Sequence, residues 1–397
     1  MIRIKGVRYM VWNKVFSFKF GEVSVHFGPG SLSENIPAAI HGSKKALIIS
    51  SKSAAKVSGA LNDVVKALRE AGVEYLEYNN VTPNPSTNIV DEIVELGQSQ
   101  GVDTIIGIGG GSVIDTSKAA SVLIGTGIKA RELVLGRKPS NRGLKLIAVN
   151  LTHGTGTEVD RFAVLTIQGT IEKRGFAIRY PDYSFDDPKY TTTLSKKQTL
   201  YTSLDAFYHA YESATAKRAN LFVQSLAETS VSYIVKYLNK ALDNPGDLEA
   251  RTMLLYSSML SGMCIDLTSG THLIHAMEHG FSGLNPELPH GAGLAILGPF
   301  VIYYTHKAVP ETSARLLKHL DPSIKPLSED AEKAMRSVIE FQRSLGFHER
   351  LSDYGIKEKD LKPVLDFVEK TVIERFGANT PFQVTRSMLE EIARRAI

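Results

Sequence analysis

Two rhythms of apolar and polar positions divide the chain. Up to about residue 190, short apolar runs rich in β-branched residues alternate with stretches of helical spacing. KALIISS (45–51), VEYLEY (73–78), TIIGIGG (104–110) and LKLIAVNLT (144–152) read as strands. Between the first two, SAAKVSGALNDVVKALREAG (53–72) repeats apolar positions at helical spacing and stops at Gly72. Strands separated by helices imply right-handed crossovers and a mostly parallel sheet. Beyond residue 191 the strand signal vanishes. TLSKKQTLYTSLDAFYHAYESATA, NLFVQSLAETSVSYIVKYLNKAL and LEARTMLLYSS (248–258) carry helical periodicity, and the terminal SMLEEIARRAI opens with Ser387 and Glu390 in capping-box spacing. The pattern predicts an α/β dinucleotide-binding domain with a mostly parallel sheet over 1–189 and an all-helical domain over 190–397. The boundary falls near FDDPKYTTTLS, where Pro188 and the Thr run interrupt both rhythms.

At 397 residues and 43% hydrophobic, the chain is long enough for roughly two or three domains with large cores. Cys264 is the single cysteine, which excludes an intrachain disulfide framework and a thiolate zinc site and suits a reducing cytosol. Any metal must therefore sit on histidines and carboxylates. The opening MIRIKGVRYMVWNKVFSF lacks an uninterrupted apolar core ahead of a small-residue cleavage site, and no run of about 20 apolar residues occurs, so a cytoplasmic protein without a membrane partner is expected. A formal charge of +4 is spread over 46 basic and 42 acidic residues without a like-charged block, which gives a nucleic-acid role little electrostatic support.

GIGGGSVIDTSK (107–118) places glycines on a strand-to-helix turn, where backbone N–H groups and a helix N-terminus can receive a phosphate. It departs from the dinucleotide fingerprint, because Ser112 stands where the third glycine belongs, and Lys118 is too distant for a Walker loop. A tight structural turn is the alternative. LTHGTGTEVD (151–160) follows another strand; Thr152, Thr155 and Thr157 can contact a ribose, nicotinamide or phosphate, or form a polar turn, and His153 can equally be a surface residue. In the helical half, Asp205 and His209 are four apart, as are His275 and His279, while His272 precedes His275 by three and His290 follows in a Pro-His-Gly sequence. Each pair alone fits a solvated helix face, but neighbouring helices can combine such side chains into a metal centre.

In this order and spacing, GIGGGSVIDTSK, HGTGTE, DAFYHAYES and HxxxHxxxGxxxxxxPHG resemble the iron-containing (group III) alcohol dehydrogenases, in a superfamily that includes glycerol dehydrogenase and dehydroquinate synthase. The likeness runs from FGPGSL (27–32) through VTPNPST (81–87) and FDDPKYTTTLS to NTPFQVT. It implies a dehydroquinate synthase-like architecture, with Asp205, His209, His275 and His290 as metal ligands. It makes His279 a catalytic residue lining the site, relaying a proton or contacting substrate, and leaves His272 an ordinary helix histidine. It also places Gly110, Gly111 and Ser112 at the pyrophosphate and Thr152 and Thr155 near the nicotinamide. Three imidazoles and one carboxylate leave a divalent cation net positive with an open position for an alcohol oxygen. The ligand set accepts Fe²⁺, Zn²⁺, Ni²⁺ or Co²⁺; iron is what the resemblance implies.

Two departures from the family pattern matter. Where many relatives read PTTAGTGSE, this chain reads NLTHGTGTE, with Leu151 in place of threonine and His153 in place of alanine. After KALIIS, relatives that use NAD often carry an aspartate for the ribose; here Ser51, Lys52 and Ser53 offer donors and a charge to a 2′-phosphate, favouring NADP over NAD. The expected substrate is a small alcohol or aldehyde, and the expected assembly a homodimer or higher homo-oligomer. Phe162, Phe207, Tyr208 and Phe281 flank the motifs and are assigned first to core packing, with an apolar pocket wall as the alternative. A polyol, glycerol or glycerol-phosphate dehydrogenase is the rival within the superfamily. A dehydroquinate synthase-type lyase would need a Lys/Arg cluster that 272–290 lacks, and a non-catalytic binding protein would be expected to lose ligands.

Overall fold

The computed structural model describes residues 11–139 and 142–397; residues 1–10, on which part of the leader reading rests, lie outside the described residues. Among the described residues nine strands are formed: β1 (Phe16–Phe20), β2 (Val23–Phe27), β3 (Lys45–Ser50), β4 (Glu74–Tyr78), β5 (Thr104–Gly109), β6 (Lys145–Asn150), β7 (Phe162–Thr166), β8 (Lys173–Ala177) and β9 (Tyr183–Asp186). Seven of them make one sheet in the order β1-β2-β9-β6-β5-β3-β4, parallel throughout except for the antiparallel β1-β2 edge. The continuous apolar runs are its middle: β5 is buried at every position, and β3 and β6 at every position after their first lysine, as expected where helices cover both faces. β7 and β8 form a separate antiparallel hairpin.

Two local expectations are corrected. The stretch 53–72 is two helices, Ala54–Val57 and Ala60–Glu70, because Gly59 takes a left-handed φ of 85° that interrupts the helical ladder. The last helix is Arg386–Ala396, capped by Thr385, whose side chain accepts from the Met388 N–H; Ser387 lies inside the helix.

The sheet ends with β9 at Asp186, and a short 3-10 turn, Pro188–Thr191, leads to the long helix Lys196–Thr215. Ser195 caps that helix by accepting from the Gln198 N–H, and nearly every residue from Thr199 on is buried. A helix buried on all sides lies inside a bundle, here with polar side chains enclosed along with apolar ones. Around it pack Leu221–Asp243, Leu248–Thr268 and His290–Ala308, with Leu273–Leu284 against the last of these. Phe207, Tyr208 and Phe281 belong to this core and are fully buried, so they are packing residues. Among the described residues no helix is long and apolar enough to cross a membrane.

Candidate active site

The glycine turn lies at the carboxyl end of β5, with Gly110 preceding the helix Gly111–Leu123. Its glycines answer a close approach. A Cβ on Gly110 would stand 2.7 Å from Thr152 Cγ2, and one on Gly111 would stand 2.5 Å from Thr155 Cγ2. The loop after β6 therefore rests directly on the turn, bringing Thr152 and Thr155 beside Gly110, Gly111 and the half-buried Ser112. Ser50 pairs in register with Ile108 of β5, so the half-buried Ser51 and the exposed Lys52 and Ser53 follow the adjacent strand end.

Thr157 is turned to another purpose. Buried Lys118 donates to Thr157 Oγ1 (2.7 Å), Asp160 Oδ1 (2.9 Å) and the Phe162 carbonyl (2.6 Å), and Thr157 in turn donates to Asp115 Oδ1 at 2.6 Å. This network ties the glycine-turn helix to β7, and it occupies the hydroxyl that the sequence offered to a cofactor. His153 is also fully buried rather than at the surface. Its Nε2 lies 3.2 Å from the guanidinium of Arg251, and its Nδ1 lies 3.1 Å from both Thr202 Oγ1 and Ser203 Oγ. Because arginine can only donate, Nε2 accepts and the ring is neutral. Burial, aided by Arg251, holds its pKa down to about 3.

Asp205 and His209 lie on one face of Lys196–Thr215, His275 on Leu273–Leu284, and His290 is the first residue of His290–Ala308. One ligand atom from each comes within 4.8 Å of the others. Asp205 Oδ1 is the hub: His275 Nε2 and His290 Nε2 are each 3.6 Å away and His209 Nδ1 is 3.3 Å away. The rings of His209 and His275 stack at 4.3 Å. Asp205 Oδ1 and His275 Nε2 are buried without any hydrogen-bond partner. Buried polar atoms are normally paired, so two such atoms aimed at one point fit a cation between them.

Two carboxylates, neither singled out from the sequence, orient these rings. Glu212 is hydrogen-bonded to His275 Nδ1 and Glu278 to His290 Nδ1, which turns Nε2 of each ring toward Asp205. Such carboxylate–histidine pairs fix the ligating tautomer of metal-bound histidines. For His209 the nitrogen nearest Asp205, Nδ1, also lies 3.4 Å from the Gly154 carbonyl. Seven residues after Asp205, Glu212 shares its helix face, and that spacing was the available signal. Burial would raise the Asp205 carboxyl, but His209, His290 and His275 outweigh it and bring it to about 2. Burial would lower His275, yet Glu212 and Asp205 raise it to about 9. His209, with burial dominant, falls to about 4.

Glu278, His279 and His290 form a second close group. A cation there is opposed by the ammonium of Lys173, 3.3 Å from Glu278 Oε2. His279 lies beside the quartet, 5.6 Å from the His290 ring and 6.3 Å from that of Phe376, and burial holds it well below the ordinary histidine value. His272 is the N-cap of Leu273–Leu284 rather than a residue within it; its Nδ1 lies 3.0 Å from Glu212 Oε1 and its Nε2 3.0 Å from Thr215 Oγ1.

Residues 23–188 match the family model for iron-containing alcohol dehydrogenase, and residues 199–397 match that for the C-terminal part of the Fe-containing alcohol dehydrogenase family. The chain is 37% identical over 389 residues to the long-chain primary alcohol dehydrogenase AdhA of Thermoanaerobacter ethanolicus, covering 96% of this chain and 97% of that one. It is 29% identical to the NADPH-dependent butanol dehydrogenase of Clostridium saccharobutylicum, over 93% of this chain and 95% of that one. Its fold superposes on the crystal structure of NADH-dependent butanol dehydrogenase A of Thermotoga maritima with a TM-score of 0.86 at 28% identity, covering 96% and 98% of the two chains.

Proposed function

We propose, from the premise that this chain belongs to the iron-containing alcohol dehydrogenase family, that Asp205, His209, His275 and His290 hold its divalent metal, Fe²⁺ in the first instance. The chain is an oxidoreductase, and its family implies both a divalent metal and a nicotinamide cofactor. The observation that carries the metal assignment is the convergence of unpartnered Asp205 Oδ1 and His275 Nε2 with His290 Nε2. When bound, the cation supplies Lewis acidity that favours the alkoxide form of an alcohol near neutral pH.

The protein's own groups do the rest. Gly110, Gly111 and Ser112 receive the pyrophosphate at the helix N-terminus, and Thr152 and Thr155, resting on that turn, steady the nicotinamide half. Gly154, between them, presents its carbonyl to His209, so one loop is shared by cofactor and metal ligand. His279, neutral and beside the quartet, has a lone pair to take or relay the alcohol proton. Ser51 and Lys52 favour NADP, since an ammonium and a hydroxyl suit a 2′-phosphate that a carboxylate would repel. Relatives named for NADPH and for NADH both exist, so this preference rests on the local chemistry of β3's end. The substrate is a primary alcohol or the matching aldehyde. A cytoplasmic homodimer or higher homo-oligomer completes the reading.

Metal analysis of anaerobically purified protein tests the assignment. One divalent ion per chain, lost in His209→Ala and in His275→Ala, is expected; an ion retained by both variants would place the metal elsewhere.

A further inference from the structure

We propose that Lys173 and Glu278 are a positioning pair that decides which ring nitrogen of His290 is free for the metal. The inference rests on the metal site proposed above and adds to it a residue from the sheet-bearing half.

Lys173 opens β8, and its hairpin is docked on Leu273–Leu284 so closely that a Cβ on Gly283 would stand 2.0 Å from the Ile171 carbonyl oxygen. The lysine is buried, and its ammonium has three polar neighbours: Ser282 Oγ at 3.0 Å, Glu278 Oε2 at 3.3 Å and His290 Nδ1 at 3.4 Å. An ammonium only donates, a carboxylate only accepts, and imidazole Nδ1 does either. Glu278 Oε2 lies closer to Nδ1 than Lys173 does and takes its hydrogen, which leaves the Nε2 lone pair facing Asp205. Glu278 Oε1 has no hydrogen-bond partner, so the carboxylate is held through Oε2 alone, between the imidazole and the ammonium.

Removing Glu278 reverses the outcome. Lys173 then becomes the polar group left at Nδ1 and donates to it, and the ring hydrogen moves to Nε2, where it excludes a cation. Removing Lys173 as well takes away the donor that forces this tautomer. Lys173 is thus helpful in the native site, where it supplies the counter-charge that holds Glu278, and harmful once Glu278 is gone. A merely structural lysine would not change sign in this way.

The test is Zn²⁺ affinity, read by competition with a chromophoric chelator, for metal-stripped full-length protein and for E278M, K173M and K173M/E278M. E278M is expected to bind about tenfold to a hundredfold more weakly than the native protein, the usual cost of losing the partner that orients a ligand, and the double variant to bind more tightly than E278M. An E278M affinity within about twofold of native, or a double variant no tighter than E278M, overturns the proposal. Absence of stoichiometric Zn²⁺ in the native protein would instead overturn the metal site itself. Thermal melts check that the variants fold. If E278M does not, the ¹⁵N shifts of His290 in metal-free native protein decide the matter: a hydrogen on Nδ1 is expected, and a bare Nδ1 contradicts the proposal.

Discussion

Glu212 takes the Nδ1 hydrogen of His275, and the opposite nitrogen of that ring points at Asp205 Oδ1, 3.6 Å away. The same carboxylate accepts from the Ile274 N–H at 2.6 Å, so the start of Leu273–Leu284 and the orientation of the His275 ring are fixed by one side chain. Glu212→Gln keeps the shape but weakens the hold on the ring. We expect divalent-metal affinity to fall by about tenfold to a hundredfold, measured by chelator competition, with the far-ultraviolet circular dichroism unchanged.

His275 is raised to about 9 in the metal-free protein, after Glu212 and Asp205 overcome the effect of burial. Below that pH it carries a hydrogen on both nitrogens, and a cation must displace the one on Nε2. Metal uptake at pH 7 should therefore release a proton, and affinity should climb with pH until about 9 and then level off. Calorimetric titration with Zn²⁺ in two buffers of different ionisation enthalpy measures the release; identical heats in both would refute it.

His153 provides the opposite case. Its folded pKa of about 3 lies below the ordinary value of 6.5, so the unfolded chain binds a proton that the folded one refuses. The stability it contributes is whole above pH 6.5 and is lost as the pH falls toward 3. Between pH 7 and pH 5 this loss amounts to about 2 kcal/mol. His153→Gln should reduce the difference between urea midpoints at the two pH values relative to the native protein.

Ser51 follows the end of β3, next to the strand that carries the glycine turn. A carboxylate introduced there would repel a 2′-phosphate and accept ribose hydroxyls. Ser51→Asp is expected to shift the ratio of kcat/KM for NADPH over NADH by at least about tenfold toward NADH, equivalent to about 1.4 kcal/mol. An unchanged ratio would remove Ser51 from the cofactor site.

Much of this architecture could be read from the sequence because its signals are local. The middle strands β3, β5 and β6 are uninterrupted apolar runs, and Asp205 with His209 shows its spacing on a single helix. β8 was invisible: KRGFA combines two cations and a glycine in five residues, and only its partner β7 and the helix Leu273–Leu284 make it a strand with a buried lysine. Lys173 and Glu278 are 105 positions apart, and their relation exists only after the hairpin docks. The alternatives for His153 and Thr157 stay open in the sequence for a related reason. Loop residues look solvent-exposed or free for a ligand until Arg251 and Lys118 arrive from distant helices to occupy them.

On the proposed ligand set, oxidoreductase activity depends on one divalent cation held by Asp205, His209, His275 and His290. This dependence is tested most directly by anaerobic NADPH consumption, with NADH in parallel, against a panel of short and medium aldehydes, using metal-stripped native protein and Asp205→Asn before and after Fe²⁺ is restored. Turnover that is absent from the stripped native protein, returns with Fe²⁺ and never appears in Asp205→Asn is the expected result. Undiminished turnover by stripped protein, or full recovery of Asp205→Asn with Fe²⁺, would contradict it.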